Sequence, residues 1–239
     1  EVIANAQGYV AFDTETTCLY PRDGYVLGVS ISYKPKHGRY ISTDALDEEN
    51  IALLQQIADT YTIIFHNMKF DYKMMAYHLG IKFNRAKVHD TMVMHYALDE
   101  NDGHGLKALA LKYTTYGDYD SELDTFKKSY CAEHGIKVED FTYDFIPFDI
   151  ISTYAAIDTA VTFELFQKFW PVIQKNAKIL WVYNELLIKG TLFLMDMEEV
   201  GIPIDKERMQ QADEFLDKWI LEAKKEIYTF PEVHLFEKD

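Results

Sequence analysis

Residues 9–19 read YVAFDTETTCL, a short apolar run that changes abruptly to acidic and hydroxyl-bearing residues. The apolar residues at 9–12 predict a buried, central β-strand, and Asp13 and Glu15 would project from one face because they are two positions apart. Two carboxylates so placed repel one another and lose solvation, and a divalent cation between them relieves both costs, since Mg²⁺ and Mn²⁺ prefer oxygen ligands. The alternative is a strand that ends at Phe12 and leaves both acids in solvent.

The sequence around this strand alternates between strand-like and helix-like patterns. Turn residues at 21–24 and 35–38 separate it from two further strands, so the three strands are expected to form an antiparallel meander. An amphipathic helix, a buried strand and a second helix follow, which indicates an α/β fold with a mixed sheet flanked by helices. The predicted strands are 9–12, 26–33, 39–42 and 62–65, and the helices predicted in this half are 47–60 and 68–79.

The second half is predicted to be mainly helical. Residues 114–148, rich in Tyr, Asp, Gly and Lys, read as an irregular excursion with one short helix near 126–133. Pro171 is expected to stop the long helix that precedes it, and Gly201 to stop the next one. The helices predicted in this half are 91–98, 106–113, 150–170, 177–200 and, with Asp205 as its N-cap, 205–227.

A domain boundary is expected near 171–178. Residues 1–175 would form one domain, and residues 176–239 a C-terminal helical extension. Two charged helices are an unusual ending for an α/β domain, so the extension is expected to be the truncated start of something larger.

Composition excludes several classes of protein. The chain has 239 residues, is 48% apolar and carries a net charge of −15, which argues against a simple cationic coat for nucleic acid. The two cysteines, Cys18 and Cys131, have no metal-like spacing, so a zinc module and a disulfide scaffold are not expected and a reducing compartment is. No apolar run reaches the ~18 residues of a membrane span. A polyanion would be met near the basic residues of the second quarter, which are otherwise ordinary surface: Lys69, Lys73, Lys82, Arg85, Lys87, Lys107 and Lys112.

Two more acids lie where a buried carboxylate is unusual. Asp71 follows the predicted strand 62–65. The alternative is that Asn67 is a helix N-cap and Asp71 an acid that the helix dipole favours. Asp158 lies on a helix that is apolar nearly all round, where an unpaired carboxylate is costly and a cation or charge partner is expected. Tyr154 is one turn earlier, on the same face as Asp158.

Together, the four carboxylates and the tyrosine match the inventory of a two-metal phosphodiester site. In that chemistry one ion lowers the pKa of a water, and the other stabilises the leaving oxygen. Bound cations would also neutralise the acids, so an acidic chain can still act on a nucleic acid.

Three segments resemble the exonuclease motifs of the DnaQ-like 3′–5′ exonucleases: residues 12–19, 66–71 and 154–158. The tyrosine in the third segment resembles the tyrosine subclass, and in particular the proofreading domain of family A DNA polymerases, the DNA polymerase I type. Residues 192–205 resemble the connection into the polymerase domain. The resemblance implies a ribonuclease H-like fold with a C-terminal helical extension.

The resemblance also implies a role for each acid. Asp13, Glu15 and Asp158 would hold the metal that bears the attacking water, and Asp13 would bridge to a second metal held by Asp71. Tyr154 would orient the water by a hydrogen bond.

Four further residues would contact the substrate by the same resemblance. Leu19 would wedge against the terminal base, and Asn67 and Phe70 would help to position the last nucleotides. Thr16 would touch the terminal sugar. Core packing is the alternative for Leu19 and Phe70.

The expected function is that of a metal-dependent 3′–5′ exonuclease, with two Mg²⁺ or Mn²⁺ ions, that removes 3′-terminal nucleotides from single-stranded or frayed DNA. The expected partners are the 3′ end of single-stranded DNA and, through a polymerase domain outside this chain, a primer-template. We expect a monomer that is cytoplasmic and DNA-associated, with no membrane partner. The alternatives are an RNase D-like 3′–5′ exoribonuclease and an inactive DNA-binding scaffold module.

Overall fold

One mixed sheet of five strands carries the acidic residues, in a computed structural model that describes residues 1–236. The strands are β1 (Tyr9–Thr16), β2 (Val26–Ser32), β3 (Gly38–Ser42), β4 (Thr62–Phe65) and β5 (Val88–Asp90). The helices of the described chain are α1 (Val2–Asn5), α2 (Glu48–Thr60), α3 (Met68–Leu79), α4 (Thr91–Leu98), α5 (Leu106–Tyr113), α6 (Ser121–His134), α7 (Phe148–Lys175), α8 (Ala177–Trp181), α9 (Lys189–Val200), α10 (Lys206–Ile227) and α11 (Pro231–Phe236).

The strand order across the sheet is β3-β2-β1-β4-β5. β2 runs antiparallel to both β1 and β3, which confirms the predicted meander. β4 is parallel to β1, and β5 is parallel to β4. β1 is therefore the central strand, and Val10, Ala11 and Phe12 are fully buried within it.

β1 continues past both of its acids. Its pairing with β2 aligns Asp13 with Ser30 and Glu15 with Gly28. The alternative in which the strand ends at Phe12 is therefore wrong. Hydrogen bonding to β2 extends the strand and holds both carboxylates on a buried, paired backbone.

α7 packs across β1, β2 and β3. The close approach to β3 depends on Gly38, because a Cβ atom there would lie 1.7 Å from the carbonyl oxygen of Ala156. This packing brings Asp158 of α7 to the end of β1 that carries the other acids.

α7 does not stop at Pro171, contrary to the sequence prediction. The helix runs to Lys175 with the proline inside it. Phe169 and Ile173 are buried on either side, and burial of two such side chains, at about 1.5–3 kcal/mol each, offsets the roughly 3 kcal/mol cost of an internal proline. The single helix predicted over 177–200 is also wrong in part, since Val182–Ile188 is a π-helical segment between α8 and α9.

Residues 114–148 are more ordered than predicted. The helix in this excursion is α6, which is longer than the expected 126–133, and 3₁₀ turns follow at Val138–Asp140 and Tyr143–Phe145. The excursion has a small core of its own, which explains the longer helix because the apolar face of α6 is buried. That core consists of Leu123, Cys131, Phe141, Ile146 and, from α7, Ile151.

The chain divides into two compact units, Glu1–Met195 and a second that begins at Asp196. This division lies further along the chain than the expected 175/176 boundary. The reason is that Tyr183, Ile188 and Leu192 belong to the hydrophobic core of the first unit.

The second unit contains α10, which begins as the sequence predicts. The Asp205 side chain accepts hydrogen bonds from the backbone N–H groups of Glu207 and Arg208, both at 3.1 Å. Gly201, with φ of +70°, ends α9 in the left-handed conformation that favours glycine. Between residues 1 and 236, no helix has the length and apolar character needed to cross a membrane.

Candidate active site

Three of the predicted acids lie together at the end of β1. One carboxylate oxygen from each of Asp13, Glu15 and Asp158 lies within 4.8 Å of the other two. Glu15 and Asp158 are only 5% and 6% exposed. Glu15 Oε1 is buried and has no hydrogen-bond partner within the described structure, so it lacks the compensation that a buried oxygen normally has. A bound cation would supply it, and an all-oxygen set of this kind fits Mg²⁺ or Mn²⁺.

The residue opposite Glu15 in the sheet is a glycine, which leaves room for Tyr40. Gly28 is the β2 partner of Glu15, and a Cβ atom at Gly28 would lie 2.3 Å from the Tyr40 hydroxyl of β3. The Tyr40 ring therefore lies directly over the glycine. Burial and the nearby charge of Glu15 raise the pKa of Tyr40, so its hydroxyl remains protonated.

The site is strongly unfavourable for negative charge. Burial raises the pKa of Asp13, and the charges of Asp71, Glu15 and Asp158 raise it further. Burial and then Asp158 raise the pKa of Glu15, and burial raises that of Asp158. Lys107 opposes the shift in all three carboxyls. The protein thus concentrates carboxyl groups that ionise readily only beside a positive charge.

Asp71 lies next to this group and is held by its own contacts. It is 2% exposed, and its Oδ1 accepts hydrogen bonds from the backbone N–H of Thr14 at 2.9 Å and from the Thr14 hydroxyl at 2.7 Å. Burial raises the pKa of Asp71 to about 7. Asp71 is in the first turn of α3, as the alternative proposed, but it is also close enough to raise the pKa of Asp13.

Asp90 is a further buried acid, to which the sequence pattern assigns no role. Its carboxylate accepts the backbone N–H groups of Asn67 at 3.1 Å and Met68 at 2.8 Å, at the start of α3. It also accepts those of Met92 at 2.9 Å and Val93 at 3.3 Å, at the start of α4. One side chain therefore caps two helices, and an aspartate directly before a helical pattern is the signal that could have revealed it.

Tyr154 lies beside the carboxylates, together with two residues from other elements. Lys107 of α5 and Tyr119 of the excursion both donate to Asp158 Oδ1. The Lys107 ammonium lies 4.0 Å from the centre of the Tyr154 ring. Burial and the charge of Asp158 raise the pKa of Tyr154. Tyr119 carries no recognisable motif, so the sequence alone offered no signal for it.

A cavity of about 640 Å³ opens over the acids. Leu19 and Phe70 line it, as does Thr16, whose hydroxyl donates to the Cys18 carbonyl at 2.9 Å. Leu19 is 75% exposed, so the core-packing alternative is wrong for this residue, whereas Phe70 both packs on the core and lines the cavity. Residues of the excursion also line the cavity: Lys127, Val138, Glu139, Asp140, Phe141, Thr142 and Tyr143.

Asn67 is the one predicted substrate residue outside the cavity lining. It is exposed and adopts a left-handed conformation with φ of 66° at the N-cap position of α3. Its side chain makes no capping hydrogen bond, because Asp90 caps this helix.

Comparison with known proteins gives consistent matches. A model of the 3′–5′ exonuclease family matches residues 1–174. The DNA polymerase of Escherichia phage T5 is 50% identical over 239 residues, covering 97% of this chain and 28% of the polymerase. The DNA polymerase I of Borreliella burgdorferi is 29% identical over 210 residues, covering 84% of this chain and 21% of that protein. The chain therefore spans about a quarter of the length of these relatives.

The fold itself recurs in solved structures. The catalytic core of RRP6 from Trypanosoma brucei superposes with a TM-score of 0.57 at 17% identity, covering 80% of this chain and 48% of that one. Superpositions of this kind confirm the expected fold, a mixed sheet flanked by helices. With a family match over most of its length and a relative that shares half of its residues, the chain belongs to the 3′–5′ exonuclease family of the family A DNA polymerases.

Proposed function

We propose that this chain removes nucleotides one at a time from the 3′ end of a DNA strand by metal-dependent hydrolysis. The observation that carries the proposal is the group of Asp13, Glu15 and Asp158, whose oxygens lie within 4.8 Å of one another beneath an open cavity. Hydrolysis of a phosphodiester needs positive charge beside the phosphate, and this group would collect that charge.

Two divalent cations, Mg²⁺ or Mn²⁺, fit the acids. Asp13, Glu15 and Asp158 would hold one, and Asp13 with Asp71 would hold the other. Bound there, the ions would supply a water of lowered pKa and stabilise the charge that develops on the phosphate. The unpartnered Oε1 of Glu15 supports this assignment.

Tyr154 would orient the attacking water. Its raised pKa keeps the hydroxyl protonated, so it acts through a hydrogen bond and does not remove the proton itself. Its position on α7, one turn before Asp158, would direct the hydroxyl towards a water bound there.

The cavity would receive the last nucleotides of a single strand. Leu19 and Phe70, which line the cavity, would offer apolar surface to the bases, and Thr16 would touch the terminal sugar. Asn67, at the start of α3, would contact the strand outside the cavity. A mispaired 3′ end frays more readily than a paired one and would reach the site more often. Selectivity for mismatches would follow, as proofreading requires.

The complete protein would pair this domain with a polymerase domain that holds the primer-template. The support is the match to DNA polymerases of which this chain spans about a quarter. We expect this part of the protein to act as a monomer. The same match, over 97% of the chain, favours DNA over the RNA substrate of an RNase D-like enzyme. The full set of acids and Tyr154 disfavours an inactive scaffold.

A time course on 5′-labelled single-stranded DNA, with Mg²⁺, Mn²⁺ or EDTA, tests the proposal. We expect a ladder that shortens from the 3′ end with either metal, no cleavage in EDTA, and slower cleavage of the matched RNA. The Asp13→Ala/Glu15→Ala double variant should be inactive. Asp59→Asn, at an exposed acid just before β4 and at the opposite end of the sheet, should match the unmodified protein. Faster cleavage of RNA, or unchanged cleavage by the double variant, would refute the assignment.

A further inference from the structure

We propose that Lys107 is a built-in counter-ion of the acidic site, and that its ammonium group competes with a divalent cation for the Asp158 carboxylate. The inference rests on the proposed function in one respect, since it takes Asp13, Glu15 and Asp158 as the metal ligands. It adds a determinant of how tightly those ligands bind a metal.

The ammonium group of Lys107 lies in a well-defined position. It donates to Asp158 Oδ1 and, at 3.0 Å, to the hydroxyl of Tyr119. It also lies 4.2 Å from the centre of the Tyr119 ring and 4.0 Å from that of Tyr154. Two aromatic faces, a hydroxyl and a carboxylate together form a binding site for a cation, which the side chain of the protein itself fills.

The charge of Lys107 acts on the whole acidic group. It lowers the pKa of Asp13, Glu15 and Asp158, against burial and mutual repulsion, which raise them. A divalent cation among the same carboxylates would also lower their pKa values. Two cations a few ångströms apart in a buried site repel one another strongly, so each weakens the binding of the other.

Lys107 is also able to leave. The Lys107 side chain is 31% exposed and the Asp158 side chain is 8% exposed, so a path to solvent exists for the ammonium but hardly for the carboxylate. A lysine carries its charge on a flexible four-carbon stem, which permits this movement without a change in the backbone. The acids would thus have a positively charged partner both without a metal (Lys107) and with one (the metal itself). The competition between the two would lower the affinity for the metal.

Equilibrium binding of Mn²⁺ without DNA, measured by calorimetry, tests the inference. Lys107→Gln removes the charge, and we expect it to tighten Mn²⁺ binding by about tenfold, because a positive charge that contacts the same carboxylate is removed. Lys107→Arg keeps the charge and should remain close to the unmodified protein. Lys112→Gln is the matched control, since Lys112 lies on the same helix but pairs with Asp102.

Thermal unfolding gives a second readout. In EDTA, Lys107→Gln should lower the Tm because the acids lose their counter-ion, and Mn²⁺ should raise the Tm of this variant by more than that of the unmodified protein. If Lys107→Gln does not fold, Tyr119→Phe replaces it. That variant removes two hydrogen bonds, one to Asp158 and one to the ammonium, and should tighten Mn²⁺ binding to a smaller extent.

Each outcome decides the inference. Affinity that is equal or weaker in Lys107→Gln, or unchanged in Tyr119→Phe, shows that the ammonium and the metal do not compete and overturns it. Binding by the variant alone supports it. If neither the variant nor the unmodified protein binds Mn²⁺, both the proposed metal site and the inference about Lys107 are refuted. If both proteins bind Mn²⁺ with equal affinity, only the inference about Lys107 is refuted.

Discussion

Tyr154 is the residue at which the chemistry can be separated from metal binding. It lines the same cavity as the carboxylates, and its phenol is protonated and so a much weaker metal ligand than a carboxylate. We expect Tyr154→Phe to slow hydrolysis of single-stranded DNA by roughly 10²-fold, since a positioned hydroxyl is lost. Mn²⁺ affinity should be unchanged, because the ligands remain. Single-turnover kinetics and calorimetry measure the two quantities, and a variant as fast as the unmodified protein would show that the hydroxyl is not directed at the water.

Asp71 predicts a pH dependence of stability. Its pKa is raised from 3.8 to about 7, so between pH 4 and 7 the folded state holds a proton that the unfolded state has released. The contribution of this proton to the free energy of unfolding is fully present below the pKa of Asp71 in the unfolded state. It is lost as the pH rises towards 7, by up to about 1.4 kcal/mol per pH unit.

Urea unfolding in EDTA at pH 5 and pH 7.5 checks this expectation. Asp71→Asn keeps an oxygen that can accept both hydrogen bonds from Thr14, but it cannot ionise. The unmodified protein should therefore lose free energy of unfolding relative to Asp71→Asn as the pH rises. A difference between the two proteins that stays constant with pH would contradict the prediction.

Among the elements, the contact between α7 and β3 determines where Asp158 lies. Gly38→Ala would place a Cβ atom 1.7 Å from the carbonyl oxygen of Ala156, and neither backbone can yield easily. We expect a loss of about 1–3 kcal/mol of stability and a displaced α7, with weaker Mn²⁺ binding as a result. Gly103→Ala is the control, since a Cβ atom there meets no atom within 4 Å. Equal Tm values for the two variants would show that α7 does not depend on this glycine.

The elements also show what the sequence could reveal. Apolar patterns predicted β2, α2 and α3 closely, because each reflects burial on one local face. The start of α10 was predicted from Asp205 as its N-cap. The motif acids on β1 and α7 could be placed because their charge contradicts their surroundings. The contacts of Asp158 with Tyr119 and Lys107 could not be predicted from local patterns. Tyr119 precedes Asp158 by 39 residues and Lys107 precedes it by 51, so both contacts depend on how the intervening chain folds. For the same reason α7 passes through Pro171, since burial beyond the proline is a tertiary effect.

At the scale of the whole molecule, the question is where the first unit ends. A division at 175, which the charge pattern and Pro171 suggest, would remove Tyr183, a fully buried residue whose hydroxyl accepts the backbone N–H of Asp90 at 3.2 Å. It would also remove Ile188 and Leu192 from the core. Loss of three large buried side chains, at about 1.5–3 kcal/mol each, is comparable with the entire stability of a typical domain.

Two shortened chains are therefore expected to behave differently in folding and in DNA cleavage. Residues 1–195 should fold cooperatively and retain metal-dependent cleavage of single-stranded DNA, because every residue of the proposed site and its core lies within them. Residues 1–175 should be unfolded or strongly destabilised, because the core is opened next to Asp90, which caps α3 and α4. Circular dichroism melts and the cleavage assay measure both properties. If the shorter chain melts at the same temperature as the longer one, residues 176–195 are not part of the first unit and the division belongs at 175.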